Sequence, residues 1–288
     1  MHWIEVSVVC SLPSEEPVSA ALMNHGCAGT ATEWFSEEGT PYATVRGWLT
    51  PPCDDVLTRL KGDLEELRLQ DAVAYTEIRC DEVSDEGWLD SWRSHHHPRA
   101  VGRSLLITPP WRSGNPGNRF EVVIEPGMAF GTGSHPTTLL SLELMERVIV
   151  PGLPVADVGT GSGILAIAAA RLGASHVTAS EIDALPRQIA QQNVDANCVG
   201  HIVEVLDPEE FAARRPRCDV VVCNIIAETI AELAPLLASI LKPTGHLILS
   251  GIVAERLDLP LRRLAAEGLR PLEIVADDVW RAVLLTRP

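Results

Sequence analysis

The stretch 155–174, VADVGTGSGILAIAAARLGA, decides how the chain is read. Residues 155–158 form a short apolar run of strand type, and from Ile164 to Leu172 an alanine-rich apolar run has the length of a buried helix. Between them Gly159, Gly161 and Gly163 stand where strand must turn into helix. Without a Cβ the backbone can turn tightly there and come close to a ligand, while the first amides of the helix point at it. The dinucleotide fingerprint G-x-G-x-x-G needs Gly or Ala at 164, where Ile164 stands, so the spacing is G-x-G-x-G and a nicotinamide dinucleotide is disfavoured. Roughly 20 residues on, after the second strand, Glu181 is placed to accept both hydroxyls of a ribose. A ribose-containing ligand is expected.

Outward from this unit, apolar strand candidates at 155–158, 176–180, 202–206, 220–223 and 247–249 alternate with helical patterns such as 164–172 and 185–197. That alternation predicts an α/β domain whose mostly parallel sheet is covered on both faces. The first part of the chain reads differently. A strand at 3–9 precedes Ser14 as helix cap, with Glu15 and Glu16 leading into a helix at 18–25. Strands at 30–35 and 43–49 flank Glu37, Glu38 and Gly39 as a hairpin turn. Leu57, Leu60, Leu64 and Leu67 mark a helix from Asp54, and 75–83 is a further strand. The order β-α-β-β-α-β is a split βαβ unit, a small ferredoxin-like α+β domain. Three regions are expected: a first domain at 1–84, a linker helix and lead-in at 85–103 containing Trp88 and Trp92, and the α/β domain at 104–288.

Composition narrows the partners. With 39 acidic against 23 basic residues the formal charge is −16, and no basic stripe interrupts it, which argues against nucleic acid and for a basic protein as partner. The seven cysteines are scattered without a C-x-x-C pair, as in a reducing cytoplasm, and no run approaches the ~18 apolar residues of a membrane span. A cytoplasmic monomer is expected. His95, His96 and His97 point apart and lack companion ligands at metal-site spacing, so they read as a solvated linker and no metal is expected.

Two further motifs bear on chemistry. In EPGMAFGTGSHPTT, 125–138, Gly127, Gly131 and Gly133 surround Phe130 and Thr132 in a loop able to fold over a ligand, and Ser134 to Pro136 open a helix. His135 suits either a structural cap or a ligand contact. Asn224, in VVVCNIIAE, follows a central strand and so stands at the crevice mouth, where its amide oxygen could orient an amine; a turn or cap residue is the other reading.

These blocks resemble the class I adenosylmethionine-dependent methyltransferases, in which D-x-G-x-G-x-G holds the methionine part of the cofactor and an acid ends strand two. Asp157 and Glu181 take those places. Residues 125–138 together with GSGILAIAAARLGA, CNIIAETIAELAPLL and LILSGI are similar to the bacterial ribosomal protein L11 methyltransferase family, over most of 120–252. MHWIEV, Trp88, Trp92 and Trp280 match more loosely. The resemblance implies S-adenosyl-L-methionine as cofactor and transfer to lysine ε-amines and an N-terminal α-amine of the basic ribosomal protein L11. It also implies a substrate-recognising first domain. Cofactor contacts would fall at Thr138, Asp157, Gly159, Gly161, Gly163, Glu181 and Asn224, with Phe130, Gly131 and Thr132 from the preceding loop, and Asn224 would also be the catalytic position. The chain departs from the family pattern at Thr160 (usually Cys or Ala), at Glu181 and Glu125 (usually Asp) and at His96 (commonly aromatic). A related methyltransferase of another protein or small amine, and a catalytically silent cofactor-binding protein of ribosome assembly, remain alternatives.

Overall fold

The computed structural model describes residues 2–27, 29–37, 40–69, 73–84, 93, 96–126 and 133–287. Two compact units emerge, one of residues 1–97 together with 126–128 and a larger one of residues 98–125 and 129–288. In the first, β1 (His2–Ser11), β2 (Thr30–Glu37), β3 (Thr40–Leu49) and β4 (Tyr75–Ser84) form an antiparallel sheet in the order β2-β3-β1-β4, joined by α1 (Glu15–Asn24) and α2 (Asp54–Leu69). This is the split βαβ order expected from the pattern. Val6, Val8 and Cys10, alternating along β1, face Val18 and Leu22 of α1 and Leu60 and Leu64 of α2 in one core.

One detail of this unit is corrected. The helix starts at Glu15 rather than at Val18, and the Ser14 side chain makes no capping bond to it. The Ser14 hydroxyl instead lies 2.8 Å from that of Ser11 and accepts from the Ala74 amide at 2.7 Å, tying the chain ahead of β4 to the start of α1.

The second unit opens with a small sheet, β5 (Arg99–Val101), β6 (Leu105–Thr108) and β7 (Phe120–Val123), which begins inside the segment expected to be lead-in. Strands of three or four residues carry too little alternation to show in the sequence. After α3 (Pro136–Val148), strand and helix alternate: β8 (Pro154–Val158), α4 (Ile164–Arg171), β9 (His176–Ser180), α5 (Ala184–Ala196), β10 (Val203–Leu206), α6 (Pro208–Arg214), β11 (Cys218–Asn224), α7 (Ala227–Ile240) and β12 (Leu241–Val253). After α8 (Asp258–Ala266) come β13 (Arg270–Asp277) and β14 (Trp280–Thr286). The seven-stranded order is β10-β9-β8-β11-β12-β14-β13, parallel through β12, with β14 antiparallel between β12 and β13.

Period-two alternation explains the unbroken run VVVC. Val220 and Val222 join Val155, Ile248 and Leu284 beneath α3 and α4, while Val221 and Cys223 join Ala156, Val158, Leu247 and Leu249 beneath α7 and α8. The sheet is therefore doubly wound, as the alternation predicted. The turn between β5 and β6 is fixed to α3 by the Glu146 carboxylate, which accepts from the Arg103 and Ser104 amides and the Ser104 hydroxyl.

Ser14→Ala removes the buried acceptor that the Ala74 amide uses, and it is expected to cost about 1 kcal/mol. Urea unfolding read by circular dichroism measures this as a lowered midpoint.

Candidate active site

Parallel pairing sets three strand ends level with one another. Val158 of β8 lies opposite Ser180 on one side and Cys223 on the other, so the chain leaves β8 at Gly159 beside Glu181, which follows β9, and Asn224, which ends β11. This is where the strand order reverses, because β9 and β10 lie to one side of β8 and β11 and β12 to the other. The Gly159 and Thr160 amides both donate to the Ser180 carbonyl, at 2.9 and 3.0 Å. The Glu181 carboxylate accepts from the Gly161 amide at 2.9 Å and the Asp183 amide at 3.2 Å. Gly159 has φ +78°, and a Cβ on it would lie 2.6 Å from Ile225 Cγ2, so only glycine fits.

Asn224 and Thr138 complete this edge. Asn224 pairs in register with Ser250 of β12, and its Oδ1 is buried with no hydrogen-bond partner. Thr138, in the first turn of α3, likewise has a buried and unpartnered Oγ1. Buried polar atoms without partners are uncommon in a folded chain, and two at the mouth of a switch-point crevice fit a ligand bearing amine or hydroxyl groups. Ser250 donates its hydroxyl to the Thr137 carbonyl at 2.9 Å. The following residue, Gly251, has φ +80°, and a Cβ there would meet the Ile225 carbonyl oxygen at 2.5 Å. The turn after β11 is thus pressed against β12, backbone to backbone.

The family model described as ribosomal protein L11 methyltransferase (PrmA) matches residues 2–288. The chain belongs to the ribosomal protein L11 methyltransferase family. The Geobacillus kaustophilus ribosomal protein L11 methyltransferase is 34% identical over 316 aligned residues, covering 100% of both chains. That of Pelotomaculum thermopropionicum is 36% identical over 305 residues, covering 98% of both. Among solved structures, the ribosomal protein L11 methylase from Lactobacillus delbrueckii subsp. bulgaricus matches with a TM-score of 0.62 and 34% identity, over 67% of this chain and 99% of that one. As a methyltransferase of this family the chain uses S-adenosyl-L-methionine, and the dinucleotide reading of the Gly loop falls away.

Two of the positions expected to depart from the L11 methyltransferase pattern, Thr160 and Glu181, have visible partners. The Thr160 hydroxyl donates to Asp157 Oδ2 at 2.6 Å, a bond to the first residue of the glycine motif. Glu181 reaches from the end of β9 to the loop amide, a use for its extra methylene. His135 caps α3: its Nδ1 accepts from the Thr137 amide at 3.3 Å and lies 2.7 Å from the Thr137 hydroxyl. Its ring meets Trp280 edge to face at 4.9 Å, and burial pushes its pKa down to about 4, which keeps it neutral. Of the two readings of His135, the cap is realised. Phe130, Gly131 and Thr132, together with Gly127, His95, Trp88 and Trp92, lie outside the described residues. Among the described residues no group of three His, Cys, Asp or Glu could hold a metal, and no helix is long and apolar enough to cross a membrane.

Sequence reasoning missed Asn193, Ser250 and Gly251. Asn193 could have been found as a polar residue at helical spacing among Ala190 and Val194, whose buried face it shares.

Asp157 is fully enclosed. Desolvation pushes its pKa up to about 7, helped by the charge of Glu181 and opposed by the Thr160 hydroxyl and the Ala166 amide. The folded protein therefore holds a proton there that the unfolded chain releases near its ordinary pKa of about 3.9. The stability this contributes is full below about pH 4 and is lost as pH rises to about 7. Asp157→Asn should flatten that decline: the urea midpoint of the native chain, compared with the variant's, is expected to fall between pH 5 and 7.5.

Proposed function

We propose that this chain methylates ribosomal protein L11 on lysine ε-amines and on an N-terminal α-amine. The carrying observation is the unpartnered Oδ1 of Asn224, buried at the strand end beside the Gly loop. In this reading the Gly159–Gly163 loop, Asp157, Glu181 and Thr138 hold S-adenosyl-L-methionine, with Phe130, Gly131 and Thr132 contributing from the preceding segment. Glu181, already anchored to the loop through Gly161, keeps lone pairs for ribose hydroxyls. When bound, the cofactor supplies a methyl group activated by its sulfonium.

The acceptor must arrive as a neutral amine. A lysine with its ordinary pKa of about 10.4 lies ~3 units from neutrality at pH near 7.4, a cost of roughly 4 kcal/mol. Desolvation at the buried strand end lowers that cost by disfavouring the ammonium. Asn224 Oδ1 accepts one N–H of the neutral amine and so fixes the direction of its lone pair, a contribution of position rather than of proton transfer. Of the nearby ionisable groups, Glu181 is committed to two amides and His135 to the α3 cap, while Asp157 takes the Thr160 hydroxyl on Oδ2 alone. Solvent is the proton acceptor before the amine enters. Residues 1–84 serve as the substrate-recognition domain and 85–103 as its connection to the catalytic domain at 104–288, and the charge of −16 suits a basic substrate.

Tritiated S-adenosyl-L-methionine incubated with unmethylated ribosomal proteins should label L11. Label on another species would favour a related methyltransferase, and cofactor binding without label a silent binding protein. Asn224→Ala is expected to lower kcat roughly 10- to 100-fold while leaving the cofactor Kd within about threefold. Unchanged turnover would remove the role assigned to it.

A further inference from the structure

We infer that Asn193 is a positioning residue that holds the Gly loop and the Glu125 backbone just after β7 at one fixed separation; this rests on the reading of the Gly loop as the methyl-donor site. Ala190, Asn193, Val194 and Asn197 share the buried face of α5 and its C-cap. Two amide side chains on such a face are costly if left unpaired. Each has its oxygen and its nitrogen bonded to backbone groups of chain segments far from α5. Asn193 Nδ2 donates to the Ser162 carbonyl at 2.8 Å, inside the G-x-G-x-G loop, and its Oδ1 accepts from the Glu125 amide at 3.3 Å. One turn later Asn197 takes both backbone groups of Val123: Oδ1 accepts from its amide at 2.9 Å and Nδ2 donates to its carbonyl at 2.6 Å. Asn197 Nδ2 also donates to the Asn193 carbonyl at 2.8 Å.

The two asparagines divide the work. Asn197 seats the end of β7 on α5. Asn193 alone reaches the Gly loop, at the residue between Gly161, whose amide Glu181 holds, and Gly163, which caps α4. An amide at 193 bonded through both its nitrogen and its oxygen thus sets where the Gly loop and the Glu125 backbone stand relative to each other.

Calorimetric titration with S-adenosylhomocysteine tests this, at a temperature where circular dichroism shows each variant folded. Asn193→Ala is expected to weaken binding about tenfold or more and to raise the KM for donor without raising that for L11. Asn197→Ala, which loses comparable bonding, should stay within about threefold of the native chain. Equal effects of the two variants, or native-like binding by Asn193→Ala, would overturn the inference. Should Asn193→Ala not fold, Glu125→Pro deletes the amide that donates to Asn193 without altering α5, and it is expected to bind more weakly than Glu125→Ala; equal binding by these two overturns the inference as well. If the native chain itself does not bind S-adenosylhomocysteine, the donor-site reading falls and takes this inference with it, whereas native binding with indifferent variants removes the inference alone.

Discussion

Two consecutive amides, those of Gly159 and Thr160, donate to one carbonyl, that of Ser180. This shared acceptor binds the exit of β8 to the end of the neighbouring strand, and the rest of the crevice is arranged around it. It brings the loop within reach of Glu181, whose carboxylate then holds Gly161 and fixes the loop from outside the sheet. The condition for this geometry is the absence of a side chain at Gly159, where Ile225 from the other side already fills the space. Turn, acid and asparagine are therefore coupled through contact, and none can be moved without the others.

Much of this could be read in the residues because each feature left a local mark. The three glycines and the apolar runs on either side state the strand-turn-helix unit, and the alternation of such runs states a doubly wound sheet. Asn224 and Glu181 were legible because strand ends in a parallel sheet face one edge. What stayed hidden depended on tertiary partners. Nothing near Ser14 in the chain announces Ala74 as its partner, so a serine ahead of two glutamates reads as a cap. β5 to β7 are too short to show a period, and β13, exposed along nearly all its length, lacks the apolar face that marks a strand. Asn193 and Asn197 look like ordinary polar helix residues until Ser162, Glu125 and Val123 arrive from elsewhere in the chain.

Ionisation in the crevice follows from the same burial. Asp157 is enclosed and its pKa rises to about 7, while His135, also enclosed, falls to about 4, so burial disfavours the charged form of two groups of opposite type.

The contact between Gly251 and the Ile225 carbonyl has a practical meaning for anyone who would redirect such an enzyme to a new acceptor. The backbone after β11 has no slack on its β12 side, so insertions or altered turn shapes at 225–226 would meet a wall. The Ile226 side chain can be exchanged, since it is open to solvent, but the path of the main chain cannot. Redesign at this rim is thus a problem of decoration on a rigid rail.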